Sequence, residues 1–134
     1  MLKECKISTS KRCEFLNITS EVSSFVTAQG VMSGTVTVFC PHTTAGITIN
    51  ENADPDVQKD MAMKTSDVFE KDDSKFAHYE GNSDSHIKSS LFGASETIII
   101  NNGELLLGTW QGIYFAEFDG PRTRSFFIKI QDDK

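Results

Sequence analysis

At 134 residues, 38% hydrophobic and 24% charged, the chain has the make-up of one globular domain, expected to span 1–134 with a sizeable core. Its net charge of −6 argues against nucleic acid or an anionic membrane as partner of the whole surface, and no apolar run approaches bilayer-crossing length. The opening MLKECKISTSKR lacks the apolar run of a secretory signal, and three cysteines without paired spacing (Cys5, Cys13 and Cys40) point to reduced thiols in the cytoplasm.

In chain order, residues 2–10 alternate Cys5, Ile7 and Thr9 and predict a strand. Lys11-Arg12 predicts a turn, and Cys13, Phe15 and Asn17 a second strand. Thr19 or Ser20 suits a helix N-cap; Val22, Phe25 and Val26 share a helical face, and Gly30 supplies the stop. Residues 34–40 read as a strand with Val36, Val38 and Cys40 on one face, ended by Pro41, which has no N–H for a ladder. Ala45–Glu51 is the next strand. Asp54 is then an N-cap with Pro55 at the first helical position, and Val57, Met61, Val68 and Phe69 continue as an apolar stripe. This is the long helix. Residues 76–85 read as polar loop, after which Asp84 caps a short helix bearing Ile87 and Leu91 and stopped by Gly93. Asn102-Gly103 is a strong type I′ hairpin signal that opposes Ile100 to Leu105. Apolar residues on both faces of that pair imply a cover on both sides.

The stretch LGTWQGIYFAEFDGPRTRSFF, residues 107–127, reads as one long hairpin about Asp119-Gly120-Pro121-Arg122. Gly120 can take a positive φ and Pro121 fixes its own, as a type II′ turn requires. That register opposes Glu117 to Arg124, Phe115 to Phe126 and Ile113 to Ile128, separating an apolar body from a charged tip. The tip reads either as two exposed ion pairs of small worth or as charges set at the mouth of a site. Trp110, Tyr114 and Phe118 make the opposite face apolar as well. Burying both faces within a small domain is hard, which favours a homo-oligomer. About eight short strands, one long helix and one or two short ones predict a mostly β fold, an antiparallel β-sandwich or barrel-like sheet.

The three histidines, His42, His78 and His86, lie at strand ends or in loops, and their spacing fits no standard zinc pattern. Two readings stay open. They are unrelated surface residues, or they are three imidazoles around a catalytic divalent metal with an open coordination position, their rings oriented by Glu80 or Asp84. Cys40 shares the Val36 and Val38 face and reads as a buried thiol. Arg122 and Arg124 suit a phosphate or carboxylate, Lys88 could add charge, and Trp110 could stack a flat ligand. Phosphate-loop, dinucleotide and nucleophile-elbow motifs are missing.

Three blocks, PHTTAGITINENADPDV at 41–57, FAHYEGNSDSHIKSSLFG at 76–93 and LGTWQGIYFAEFDGPRTR at 107–124, resemble the YjbQ-like family, uncharacterised protein family 0047, over nearly the whole chain. The resemblance implies a β-sandwich with a helix, assembled as a homotrimer. It implies a divalent metal, with zinc the candidate, held by His42, His78 and His86. Glu51, Asp84, Glu117, Asp119, Arg122 and Arg124 would line the same pocket. The stretch between His78 and His86 is shorter here than the acidic stretch many relatives carry. Members are linked to a secondary thiamine-phosphate synthase activity, which joins a pyrimidine diphosphate to a thiazole phosphate and releases pyrophosphate. In that reading Trp110 or Tyr114 would stack the pyrimidine. The expected function is therefore a metal-dependent enzyme, a transferase or a hydrolase, acting on a small anionic or phosphorylated ligand. The alternative is a non-catalytic ligand-binding or regulatory trimer with a structural metal.

Overall fold

The computed structural model describes residues 1–134. Two antiparallel sheets face one another. The larger has the order β1-β8-β3-β5-β6, built from β1 (Leu2–Ser8), β8 (Thr123–Asp132), β3 (Ser33–Phe39), β5 (Ser95–Asn101) and β6 (Glu104–Leu105). The smaller has the order β2-β7-β4, from β2 (Glu14–Asn17), β7 (Gln111–Glu117) and β4 (Ala45–Glu51). The mostly β sandwich expected from the sequence is what forms. Its core lies between the sheets, with Val36, Val38, Ile98, Phe126, Ile128 and Ile130 from the larger and Ile47, Ile113 and Phe115 from the smaller. Helix α1 (Thr19–Gln29) buries Val22 and Val26 in that core and ends at Gly30, whose φ of 68° is left-handed.

The long hairpin does not form. Strands β7 and β8 belong to different sheets, and the chain passes from one to the other through residues 118–122, where the Gly120–Pro121 peptide is cis. The partners of β7 are β2 and β4, and those of β8 are β1 and β3. Pairs expected along one ladder instead meet across the sandwich: Phe115 and Phe126 lie with ring centroids 6.2 Å apart. A chain reversal between apolar strands serves a hairpin and a sheet-to-sheet crossing equally well, so the turn residues could not separate them.

This also corrects the oligomer argument drawn from the second face of β7. That face is covered within the chain, and Tyr114 and Phe118 are buried. Phe118 packs on Phe92 at 5.2 Å and Phe15 at 6.1 Å. Trp110 is outside this packing, 64% exposed. Uncovered apolar residues on the larger sheet and its continuation include Phe39, Ile99 and Leu106. The Asn102-Gly103 hairpin forms as expected, with φ of 52° and 77° and Ile100 opposite Leu105. It is covered on one face only, since Ile98 and Ile100 are buried and Ile99 is not.

Helix α2 (Pro55–Val68) begins as its sequence dictates, the Asp54 carboxylate accepting from the Asp56 N–H, yet it buries no residue fully. Helix α3 (Ser83–Phe92) does the reverse. Its inward residues are Asp84, Ser85 and Lys88, while Leu91 is exposed. Its C-terminus reaches β4 because Gly46 has no side chain. A Cβ there would stand 2.6 Å from the Gly93 carbonyl oxygen, which accepts from the Ile47 N–H at 3.1 Å.

Candidate functional site

At one end of the sandwich a cleft of about 470 Å³ opens. The segment after β3 brings His42, Thr43 and Thr44, the loop before α3 brings His78 and Glu80, and α3 and its start bring His86 and Asn82. Asp119 and Arg122 come from the crossing between sheets, and Arg124 from β8. Apart from Pro41 every lining side chain is polar. The three histidines, separated in sequence, share this cleft.

His42 is held from behind. Its Nε2 accepts the Ser125 N–H at 2.9 Å, and its ring stands edge-on to Phe115. Burial pushes its pKa down, and the positive charge of Arg124 acts in the same direction, so the ring is neutral at pH 7 with its proton on Nδ1. The His78 and His86 rings meet edge-to-face at 5.6 Å, and Glu80 lies 3.9 Å from the His78 Nε2. Neutral imidazoles beside carboxylates are the donor types a divalent metal takes. The Asn82 Oδ1 is a buried acceptor without a donor on the cleft wall, as a bound cation or N–H group would require. Within one chain, however, no three His, Cys, Asp or Glu side chains converge on a common point, and the Nε2 lone pair of His42 is already engaged. The donor types fit a metal; their present arrangement brings His78 and His86 together without completing a three-donor cluster with His42.

The carboxylates and arginines expected in one pocket divide into three groups. Asp119 and Arg122 face the cleft. Arg122 donates to the Asp119 carbonyl at 2.9 Å and to its carboxylate at 3.2 Å, and Asn82 donates to that carboxylate at 2.9 Å. The Arg122 side chain remains 50% exposed and can meet a ligand.

Glu117 and Arg124 lie beneath the cleft as a buried pair. Arg124 Nε donates at 2.9 and 3.1 Å to the two Glu117 oxygens, and its terminal nitrogen donates to Glu117 and to Thr44 Oγ1. Glu117 accepts further from the Thr9 hydroxyl and from the N–H groups of Phe118 and Asp119. A carboxylate so saturated supports the crossing and is not free to act as a base. Asp84 is also internal. Arg12 grips it with two bonds of 3.0 Å and reaches Ser85 at 3.2 Å, while Lys88, itself buried, lies 3.3 Å away. Burial would raise the Asp84 carboxyl, but Arg12 and Lys88 outweigh it and hold the pKa below the usual range. With Ser85 donating to the Phe118 carbonyl at 2.6 Å, this clamp fixes the first turn of α3 and hence His86.

Glu51 stands apart. Ala45 at one end of β4 pairs with Glu117, whereas Glu51 at the other end pairs with Gln111, away from the cleft. Tyr114 donates to the Glu51 carbonyl at 2.7 Å, and neither it nor Trp110 lines the cleft, so the expected aromatic platform is missing there. Asn82, Thr9, Arg12 and Ser125 were not anticipated as contributors. Asn82 alone left a local trace, a cap-type residue just before α3; the others act through partners far away in sequence.

The arrangement defines a class: two facing antiparallel sheets with docked helices and a histidine-lined cleft at one end. The chain belongs to the family described as UPF0047 protein YjbQ-like, whose model matches residues 3–133. UPF0047 protein YugU of Bacillus subtilis is 55% identical over 130 residues, covering 97% of this chain and 98% of that relative. UPF0047 protein MJ1081 of Methanocaldococcus jannaschii is 54% identical over 134 residues, covering 100% of this chain and 96% of that relative. A crystal structure of an uncharacterized conserved YjbQ/UPF0047 family protein from Clostridium acetobutylicum superposes with a TM-score of 0.94 at 56% identity, covering 96% of this chain and 99% of that one. No helix is long and apolar enough to cross a membrane.

Proposed function

We propose that the cleft is the active site of a metal-dependent enzyme acting on a small phosphorylated substrate. The observation that supports this reading is the meeting of His42, His78 and His86 with Arg122 and Asp119 in one polar cleft. Thiamine-phosphate synthesis with release of pyrophosphate, implied by the resemblance, is the reaction to test. Zinc held by the three histidines would supply positive charge for a developing phosphate oxyanion. The chain's own groups do the positioning. Arg122 is the exposed cation for a phosphate oxygen, and Asp119 and Asn82 hold it in place. His42, kept neutral, would ligate once its Nε2 lone pair is released from the Ser125 N–H. The buried Glu117–Arg124 pair keeps the crossing rigid, so that Asp119 and Arg122 stay aligned.

The assembly we propose is a homotrimer, supported by the uncovered apolar residues Phe39, Ile99 and Leu106. Three free cysteines, two of them buried, suit a cytoplasmic location. The test is elemental analysis of untagged protein beside His42→Ala and His86→Ala, with pyrophosphate release followed in the same preparations. About one zinc per chain, lost together with turnover in both variants while folding persists, is the expected result. Full turnover in either variant would overturn the reading, and bound zinc without turnover would favour the non-catalytic module.

A further inference from the structure

A second and larger cavity, about 600 Å³, lies between α2 and β2, away from the histidines. It exists because the inner side of α2 offers Pro55, Gln58 and Ala62 to the sheet rather than bulky apolar residues, and none of them fills the space. Its aromatic members are Phe15, braced from behind by Phe92 at 5.5 Å, and Tyr114. Side-chain amides surround them. The Asn17 amide donates to Asn52 and its carbonyl accepts from Thr19, which leaves the Asn52 amide nitrogen and the Gln58 carbonyl without protein partners. Lysines complete the edge.

Charge separates this groove from the cleft. In the cleft both arginines are balanced, Arg122 by Asp119 and Arg124 by the Glu117 beneath it. In the groove the one carboxylate, Glu14, is turned to its own loop, accepting from the Ser10 and Lys11 N–H groups and the Ser10 hydroxyl. Lys11 has no acidic partner, and Lys59 has only Asp56, loosely, at 3.9 Å and in solvent. A protein of net charge −6 thus carries a groove of net positive character with aromatic, amide and ammonium groups side by side. The volume is within the range of small-molecule sites.

We infer that this groove binds a planar heteroaromatic ligand carrying an anionic tail, of mononucleotide size. The ring lies against Phe15 and Tyr114. Its polar edge bonds the free valences of Asn52 and Gln58, and its anion meets Lys11 and Lys59. The site is independent of the histidine cleft and of any metal there.

The test is an NMR titration of the full chain, metal-free, with three probes: adenosine 5′-monophosphate, adenosine and inorganic phosphate. Adenosine 5′-monophosphate is expected to shift the amides of Phe15, Asn17, Asn52 and Gln58 and to bind at least about tenfold more tightly than either fragment, since ring and charge are both engaged. Lys59→Ala and Lys11→Ala should each weaken it several-fold. Ala62→Trp, which fills the groove from a half-exposed helix position, should abolish it with the melting temperature unchanged. Lys64→Ala, on the exposed side of α2, should leave binding as it was. Equal binding of all three probes, shifts centred on His42 and Arg122, or insensitivity to both groove lysines would each overturn the inference. So would a groove closed by a second copy of the chain in solution, which would leave all three probes unbound.

Discussion

Helices α2 and α3 invert each other. The longer one has the better sequence: an Asp54 cap, Pro55 at its first position and an apolar stripe. It nevertheless rests on the sheet without a fully buried residue. The shorter one has only a loose apolar side, and it buries a carboxylate, a hydroxyl and an ammonium group. A good helix sequence establishes that a helix forms, not how deeply it docks. Depth follows from what awaits it. At α3 that is the Arg12 guanidinium and the Phe118 carbonyl; at α2 it is a groove.

The largest effect should come from breaking the α3 clamp. Asp84→Ala leaves Lys88 buried beside an unpaired Arg12, and a loss of about 3–5 kcal/mol is expected in urea unfolding. A loss under about 1 kcal/mol would mean the clamp does not bear on stability. Acid makes the same break reversibly. The folded Asp84 carboxyl titrates below its ordinary value, so its stabilisation is present above about pH 3.9 and disappears as pH falls through the folded value. The stability gap between wild type and Asp84→Asn should therefore close on acidification. His42 behaves likewise at higher pH. Its folded pKa is depressed, so its neutral ring costs stability progressively as pH falls below about 6.5. An NMR titration of its ring should find a midpoint below that value.

On α2 the effects shrink. Asp54→Ala removes the acceptor of the Asp56 N–H and should cost about 1 kcal/mol. Val68→Ala, at a position 59% exposed, should stay within about 0.5 kcal/mol. If Val68→Ala cost as much as Asp84→Ala, α2 would be buried in the working form of the protein, by a ligand or by another copy, and the contrast would fail.

The candidate site was legible in part. The loop and strand-end positions of His42, His78 and His86 marked them as available, and the family resemblance grouped them. What neither could supply was the division of the acidic and basic residues. Glu117 and Arg124 do meet, as the expected ladder register had it, but as a buried pair between sheets. Asp84 read as the cap of α3 and is instead an internal anchor in its first turn. Glu51 carries the right chemistry at the wrong end of its strand. A charged side chain is equally visible in sequence whether it faces water or a buried partner.

By itself the sequence determined what depends on near neighbours. The start of α2 at Asp54-Pro55, the stops at Gly30 and Gly93, the hairpin at Asn102-Gly103 and the alternation that makes a β-rich fold all follow from dihedral preferences and hydrogen bonds within a few residues. Only the tertiary structure decided the partners of β7, the buried polar side of α3 and the meeting of three histidines in one cleft. Those outcomes rest on contacts between residues far apart in the chain, such as Arg12 with Asp84 and His42 with Ser125. Their energy appears only once the two sheets have closed on each other.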